Sequence, residues 1–359
     1  MAQPLKELVD NVRDDSMSSL NVTLSTLLTV QAPYEPSAWI NLSAVVWGFP
    51  LNLLILVIGF TKKNAQNGYQ FTVLCMTFCQ FYAVVMESTL YILYLVALSK
   101  RWQMTLLTCS VIRRFLQTSM TPANLSTLIL SIDRYIFILH SKKIRSPVIG
   151  LVFGLTFVYS HCIYFPLQIF GRYGSSDICG PALAMSPSIG YFVQPIEPIC
   201  ICIAFFVNLR IVLFISQQRT SKTMALRGIR KREFKEMRFA MFGLLIQSLV
   251  PFIFTLPQTI NLAAYNIDRS FRFSDLFWKI INFFVYLELS INAVVTLVFV
   301  RQFRVVFVGW IRGQQVHSTG SGGFEVIRTF TTSVNHIHPS ITVFAIARRT
   351  FRSKQVQSN

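Results

Sequence analysis

Charge is scarce in this chain: 13% of its 359 residues are Asp, Glu, Lys or Arg, against about a quarter in soluble globular proteins. With 53% hydrophobic residues, that shortage argues against a set of water-soluble domains and for lipid around most of the surface. Acids are scarcer still, 15 against 33 Lys and Arg, for a formal net charge of +18. A basic excess of that size can serve nucleic acid. Here the bases fall in short blocks between long apolar runs, so no nucleic-acid partner is expected. Cysteine is limited to seven residues, with no Cys-x-x-Cys pair and no histidine spacing suited to zinc, so no metal site and no cofactor are expected. Cys75, Cys79, Cys162, Cys200 and Cys202 lie in apolar runs and read as small buried side chains. No basic start with an apolar core opens the chain; Glu7, Asp10, Asp14 and Asp15 stand there instead. The first apolar run is therefore expected to carry the targeting. H-E-x-x-H, G-x-S-x-G and a paired catalytic Asp are also missing, so an enzyme is not expected.

What is present is a series of seven apolar runs, at 38–60, 71–98, 106–140, 148–170, 189–215, 238–264 and 276–299. Each is long enough for a membrane helix, which needs about 20 mostly apolar residues. Only short polar segments separate them. The expected fold is an all-α membrane protein, a seven-transmembrane helix bundle over 38–300. A tail precedes it at 1–37, an amphipathic membrane-surface helix follows at 301–312, and a flexible tail closes the chain at 313–359.

Bases set the direction of such a bundle. With the N-terminus outside, the inner loops hold thirteen Lys and Arg and the outer loops five. The tails agree, the first being acidic and the last basic. The expected topology is N-terminus outside, C-terminus cytoplasmic. Asn21-Val-Thr23 is a glycosylation sequon in the outer tail, where it can be used. Prolines at 50, 122, 166, 195, 198, 251 and 257 lie within the runs, as kinks, hinges or packing features.

The third run holds an adjacent acid and base, Asp133 and Arg134. At 1.5 Å per residue, Arg134 lies roughly 37 Å of helix beyond Cys109, more than the about 30 Å of a hydrocarbon core. Cys109 is therefore expected at the outer edge and the charged pair at the inner one. Cys179 lies in the following outer loop. In an oxidising compartment a Cys109–Cys179 disulfide is expected, two free thiols being the alternative.

A Cys heading the third span, Asp133-Arg134-Tyr135 near its other end and an outer-loop Cys together resemble the rhodopsin-like G protein-coupled receptors. Ser290-Ile-Asn-Ala-Val-Val-Thr-Leu-Val-Phe-Val-Arg-Gln-Phe-Arg304 resembles that family's N-P-x-x-Y followed by a short amphipathic helix. Asn52, Pro198 and Pro251 resemble further anchors, and the likeness covers about residues 38–312. The chain departs from the pattern at Ala293 and Thr296, which stand for Pro and Tyr, and at Leu249, which stands for the sixth-helix Trp. Cys79 and Gln80 stand where the second helix has an acid. Such erosion looks most like the divergent serpentine chemoreceptors of nematodes.

The resemblance implies a plasma-membrane, multi-pass receptor, chemosensory in kind, that binds an extracellular small-molecule or peptide ligand and activates a heterotrimeric G protein. It assigns coupling to Asp133, Arg134 and Tyr135, with Asn292 in the seventh span and Arg230 and Lys231 before the sixth. A basic anchor at a helix end is the plainer account of Arg134. The loop bases and 303–312 also suit anionic inner-leaflet lipids. Ionisable groups at outer depth propose a ligand pocket: Arg113, Arg114, Glu197 and Lys279, with the two arginines and the lysine favouring an anionic or strongly polar ligand. Internal pairing, for instance Glu87 with Arg113, competes with ligand contact. Glu288, one turn before Asn292, reads as an internal polar relay. Leu116 stands where amine receptors of the family carry an Asp, and Tyr286 where opsins carry their retinal-binding Lys; both are pocket candidates. A transporter or ligand-gated channel is the leading alternative, although no internal repeat of half the chain is visible.

Overall fold

The computed structural model describes residues 27–30, 32–61, 68–140, 142–166, 195–218, 231–267, 274–312, 315–319 and 323–327. The architecture is nearly all helical, and six helices are long and apolar enough to cross a membrane. The first span is two helices meeting at Trp47, α1 (Glu35–Val46) and α2 (Gly48–Thr61). The second is α3 (Gly68–Ser99). The fourth is α6 (Ser146–Phe157), continued by a π-helical stretch at Val158–Tyr164. The fifth, sixth and seventh are α7 (Ile196–Gln218), α8 (Lys231–Ile267) and α9 (Asp275–Phe299).

The third run is not among those six. It forms two helices, α4 (Leu106–Gln117) and α5 (Met120–His140), broken at Thr118–Ser119. Its polar side chains Asn124, Ser126, Thr127, Ser131, Asp133 and Arg134 are all buried. They lie against neighbouring helices, because α5 packs on α3, α6 and α7 and touches α8. A segment enclosed by protein can carry polarity that a lipid-facing helix cannot. The break is itself satisfied: Ser160, in the π-helical stretch, donates its hydroxyl to the Thr118 carbonyl at 2.6 Å.

Several prolines open helices rather than bend them. Pro50, Pro122 and Pro198 are each the third residue of their helix, where the backbone has no intrahelical acceptor for an N–H in any case. Pro251 and Pro257 do lie inside α8. The basic stretch 227–238 reads in the sequence as a continuation of the sixth helix; α8 includes it from Lys231 onward, and 227–230 lie outside the described residues.

Residues 27–30 and 32–34, expected within a tail, lie at one end of the bundle, with Val30 and Tyr34 against its core. Leu27–Thr29 (β1) pairs antiparallel with Gln103–Thr105 (β2), Leu28 opposite Met104. Thr105 then caps α4 by accepting from the Thr108 amide at 3.1 Å. The turn into β2 puts Arg101 at φ 51°, with Trp102 N–H donating to the Ala97 carbonyl at 2.9 Å, a helix-ending geometry that usually selects Gly. At the opposite end α10 (Arg301–Ile311) follows α9 directly and buries Phe303 and Val306. Beyond it lies an antiparallel hairpin of Gln315–Thr319 (β3) and Gly323–Ile327 (β4), within the segment expected to be a tail.

Apolar burial forms two clusters. One, at the α10 end, gathers Ile55, Met76, Leu130, Ile211, Leu244, Leu297 and Phe303. The other, at the β1–β2 end, gathers Val45, Val84, Tyr91, Leu116, Tyr286 and Leu289. Asn52 joins α2 to α9: its amide donates to the Gly48 carbonyl of its own helix at 2.9 Å and to that of Leu289 at 3.2 Å. Gly48 allows this approach, since a β-carbon there would lie 2.7 Å from Val84.

Candidate functional site

The late turns of α5 carry the charged pair. Arg134 Nη2 donates to Asp133 Oδ2 at 3.1 Å, and both side chains are nearly closed to solvent. Thr72 Oγ1, on α3, donates to the same carboxylate oxygen at 3.1 Å. Asp133 is thus tied to the second span and Arg134 to Asp133. Tyr135 is half-buried, its ring set edge-on to His140 at 5.9 Å.

One turn up, Ser131 accepts from Asn208 of α7 at 2.8 Å, and Asn208 also donates to the Leu244 carbonyl of α8 at 3.3 Å. Gln247 of α8 donates to Thr296 at 2.8 Å and to the Asn292 carbonyl at 3.3 Å on α9. A ladder of amides and hydroxyls therefore joins α5, α7, α8 and α9. Arg230 lies outside the described residues. Lys231 is the first residue of α8.

Nearer the β1–β2 end the ionisable groups divide. Arg113, Arg114 and Leu116 are buried on α4, and both arginines have interactions within the protein. Glu87 is fully buried on α3 with Arg113 as its charged neighbour, although neither carboxylate oxygen accepts a hydrogen bond. Tyr286 is buried edge-on to Tyr91 at 5.5 Å, and Asn41 donates to the Tyr91 hydroxyl at 3.2 Å. Lys279, by contrast, is exposed one turn into α9, unlike the arginines with which it was grouped.

Glu197, at the start of α7, accepts a hydrogen bond from Asn124 Nδ2 on α5. Glu288 of α9 accepts from Thr255 of α8 at 2.7 Å. Cys109 is buried on α4; Cys179 and the sequon residue Asn21 lie outside the described residues. Among the described residues no three His, Cys, Asp or Glu converge as a metal-ligand set.

Sequence reasoning passed over Thr72, Asn124, Asn208, Gln247 and Thr255. A signal existed for some. Asn124, Thr127, Ser131 and Arg134 recur every three or four residues, as do Glu288, Asn292 and Thr296, which places each set on one helix face. Thr255, two residues before Pro257, joins Gln247 among the α8 side chains that bond α9. The sequence matches no protein-family model and no curated protein.

Proposed function

We propose that the chain is a seven-span receptor of the plasma membrane, N-terminus outside, which senses an extracellular small-molecule or peptide ligand and activates a heterotrimeric G protein. The observation that carries this reading is the buried Asp133–Arg134 pair, held by Thr72 at the far end of the third segment from Cys109. A charged pair enclosed by helices at one end of a bundle is a two-state element. Its internal contacts can be exchanged for those of a partner.

In this reading the third segment is the seventh crossing, kept inside the bundle by its neighbours. A ligand at the α4 end shifts the helices, the ladder through Asn208 and Gln247 carries the shift, and Arg134 is released to the G protein. Tyr135, Asn292 and the bases Arg230 and Lys231 take part in coupling in this reading, and anionic inner-leaflet lipids attend the basic end. A Cys109–Cys179 disulfide would pin the outer loop to α4, and Asn21 would carry glycan. Chemosensory use is the reading the nematode-type resemblance favours.

The test is Arg134→Ala expressed in cells with a G protein reporter and a surface label. The expected result is surface delivery with loss of G protein activation. Undiminished activation removes the role assigned to Arg134.

A further inference from the structure

The interior between α5, α7, α8 and α9 holds two carboxylates that the coupling machinery does not use. Glu197 is half-buried, and one of its oxygens is engaged by Asn124. The other accepts no hydrogen bond among the described residues. Glu288 lies close enough to Glu197 to interact with it electrostatically, and Thr255 holds one of its oxygens. Among the described residues neither Glu197 nor Glu288 has a basic partner within ion-pair distance. Asn124 adds an independent sign. Its side chain is 5% exposed, and its Oδ1 accepts no hydrogen bond, although its amide nitrogen already touches Glu197. A buried acceptor left open beside two uncompensated carboxylates is a site built for a donor that carries positive charge.

The bases that the sequence suggested as ligand groups are differently placed. Arg113 and Arg114 are buried and engaged within the protein, and Lys279 is exposed. Inside the bundle, the carboxylates Glu197 and Glu288 are therefore the candidates left to meet a charged ligand.

We propose that this interior site binds an organic cation, a primary ammonium or guanidinium head, with Glu197 as counter-ion. Asn124 Oδ1 is the second acceptor, and Glu288 adds attraction from the opposite helix. The site replaces an anionic ligand class with a cationic one. It rests on the receptor reading for its consequence in signalling, while binding itself does not require a G protein.

The test uses the purified full-length protein in phosphatidylcholine nanodiscs. Thermal unfolding is followed with methylammonium, butylammonium, phenethylammonium and agmatine, against butyrate, phenylpropionate and sodium at matched ionic strength. At least one organic cation is expected to raise the unfolding midpoint, and its apparent affinity to fall about tenfold or more in Glu197→Gln, the scale of a lost charged hydrogen bond. Should Glu197→Gln fail to fold, Asn124→Ser serves, with the same cation expected to weaken. The proposal is overturned if no organic cation stabilises the wild type. It is equally overturned if the carboxylates stabilise it, if sodium does so as well as the organic cations, or if the variant binds the cation unchanged. Cation binding that depends on Glu197 but evokes no G protein response upholds the site and removes the receptor reading instead.

Discussion

Thr72 shows how one hydroxyl can set the state of a charged pair. It shares Asp133 Oδ2 with Arg134, each at 3.1 Å, and so fixes the carboxylate that holds the guanidinium. Thr72→Val keeps the shape and removes the donor. In a reporter assay its ligand-independent G protein activation is expected to rise, because Asp133 then restrains Arg134 less; unchanged basal activity would make the hydroxyl a packing feature only. Gln247 offers a test of stability. Its amide serves both Thr296 and the Asn292 carbonyl, and a buried donor network of this kind is worth about 1–3 kcal/mol when one partner is removed. Gln247→Leu should lower the unfolding midpoint in detergent accordingly. Both residues were illegible as singular features of the sequence. A Thr or Gln in a membrane run is common, and only the neighbouring helix gives it a partner.

At the scale of elements, glycine separates close contacts from open faces. A β-carbon on Gly59 would overlap the Leu74 side chain, and one on Gly243 would overlap Phe299, while one on Gly154 would meet nothing within 4 Å. Overpacking of this kind costs about 1–3 kcal/mol. Gly243→Ala is therefore expected to lower thermal stability and Gly154→Ala to leave it unchanged or slightly higher; equal effects would contradict the α8–α9 packing. Gly243 belongs to a larger contact. Phe239 of α8 stacks on Phe299 of α9 at 4.5 Å, Arg304 of α10 lies 4.9 Å over the Phe239 ring, and Arg304 donates to the Val298 carbonyl at 3.0 Å. If α8 must swing outward for coupling, this stack is what restrains it. Spin labels on α8 and α10 should report a longer and broader distance in Phe239→Ala than in wild type, and an unaltered distribution would remove the restraint. The helices themselves were readable from apolar run length, and the onset of α8 ahead of its apolar run from its basic extension. The stack was not, since Phe239 is distant in sequence from Phe299 and Arg304.

For the whole molecule, the sequence conveyed apolar runs and their order better than their continuity. Trp47 and Thr118–Ser119 divide runs that composition alone makes continuous, and among the described residues six helices are long and apolar enough to cross a membrane, the third run not being one of them. Polarity in that segment is tolerated because α3, α6 and α7 enclose it. Enclosure is a property of packing, which hydropathy along one chain does not contain. The same limit applies to the pocket candidates. Charges at suitable depth were visible in the sequence, but which of them face partners and which remain open depends on helix rotation. Arg113, Arg114, Glu197 and Lys279 were thus grouped by depth alone, and only packing gives Glu197 its contact with Asn124.

The central claim is that the third segment crosses the membrane along with the six apolar helices, leaving Arg134 at the cytoplasmic mouth. Epitope tags fused to the two ends of the full-length protein, probed on intact and then on permeabilised cells, test it most directly. The account predicts that the N-terminal tag labels intact cells and the C-terminal tag labels only after permeabilisation. Labelling of both tags from the same side would mean an even number of crossings and would contradict it.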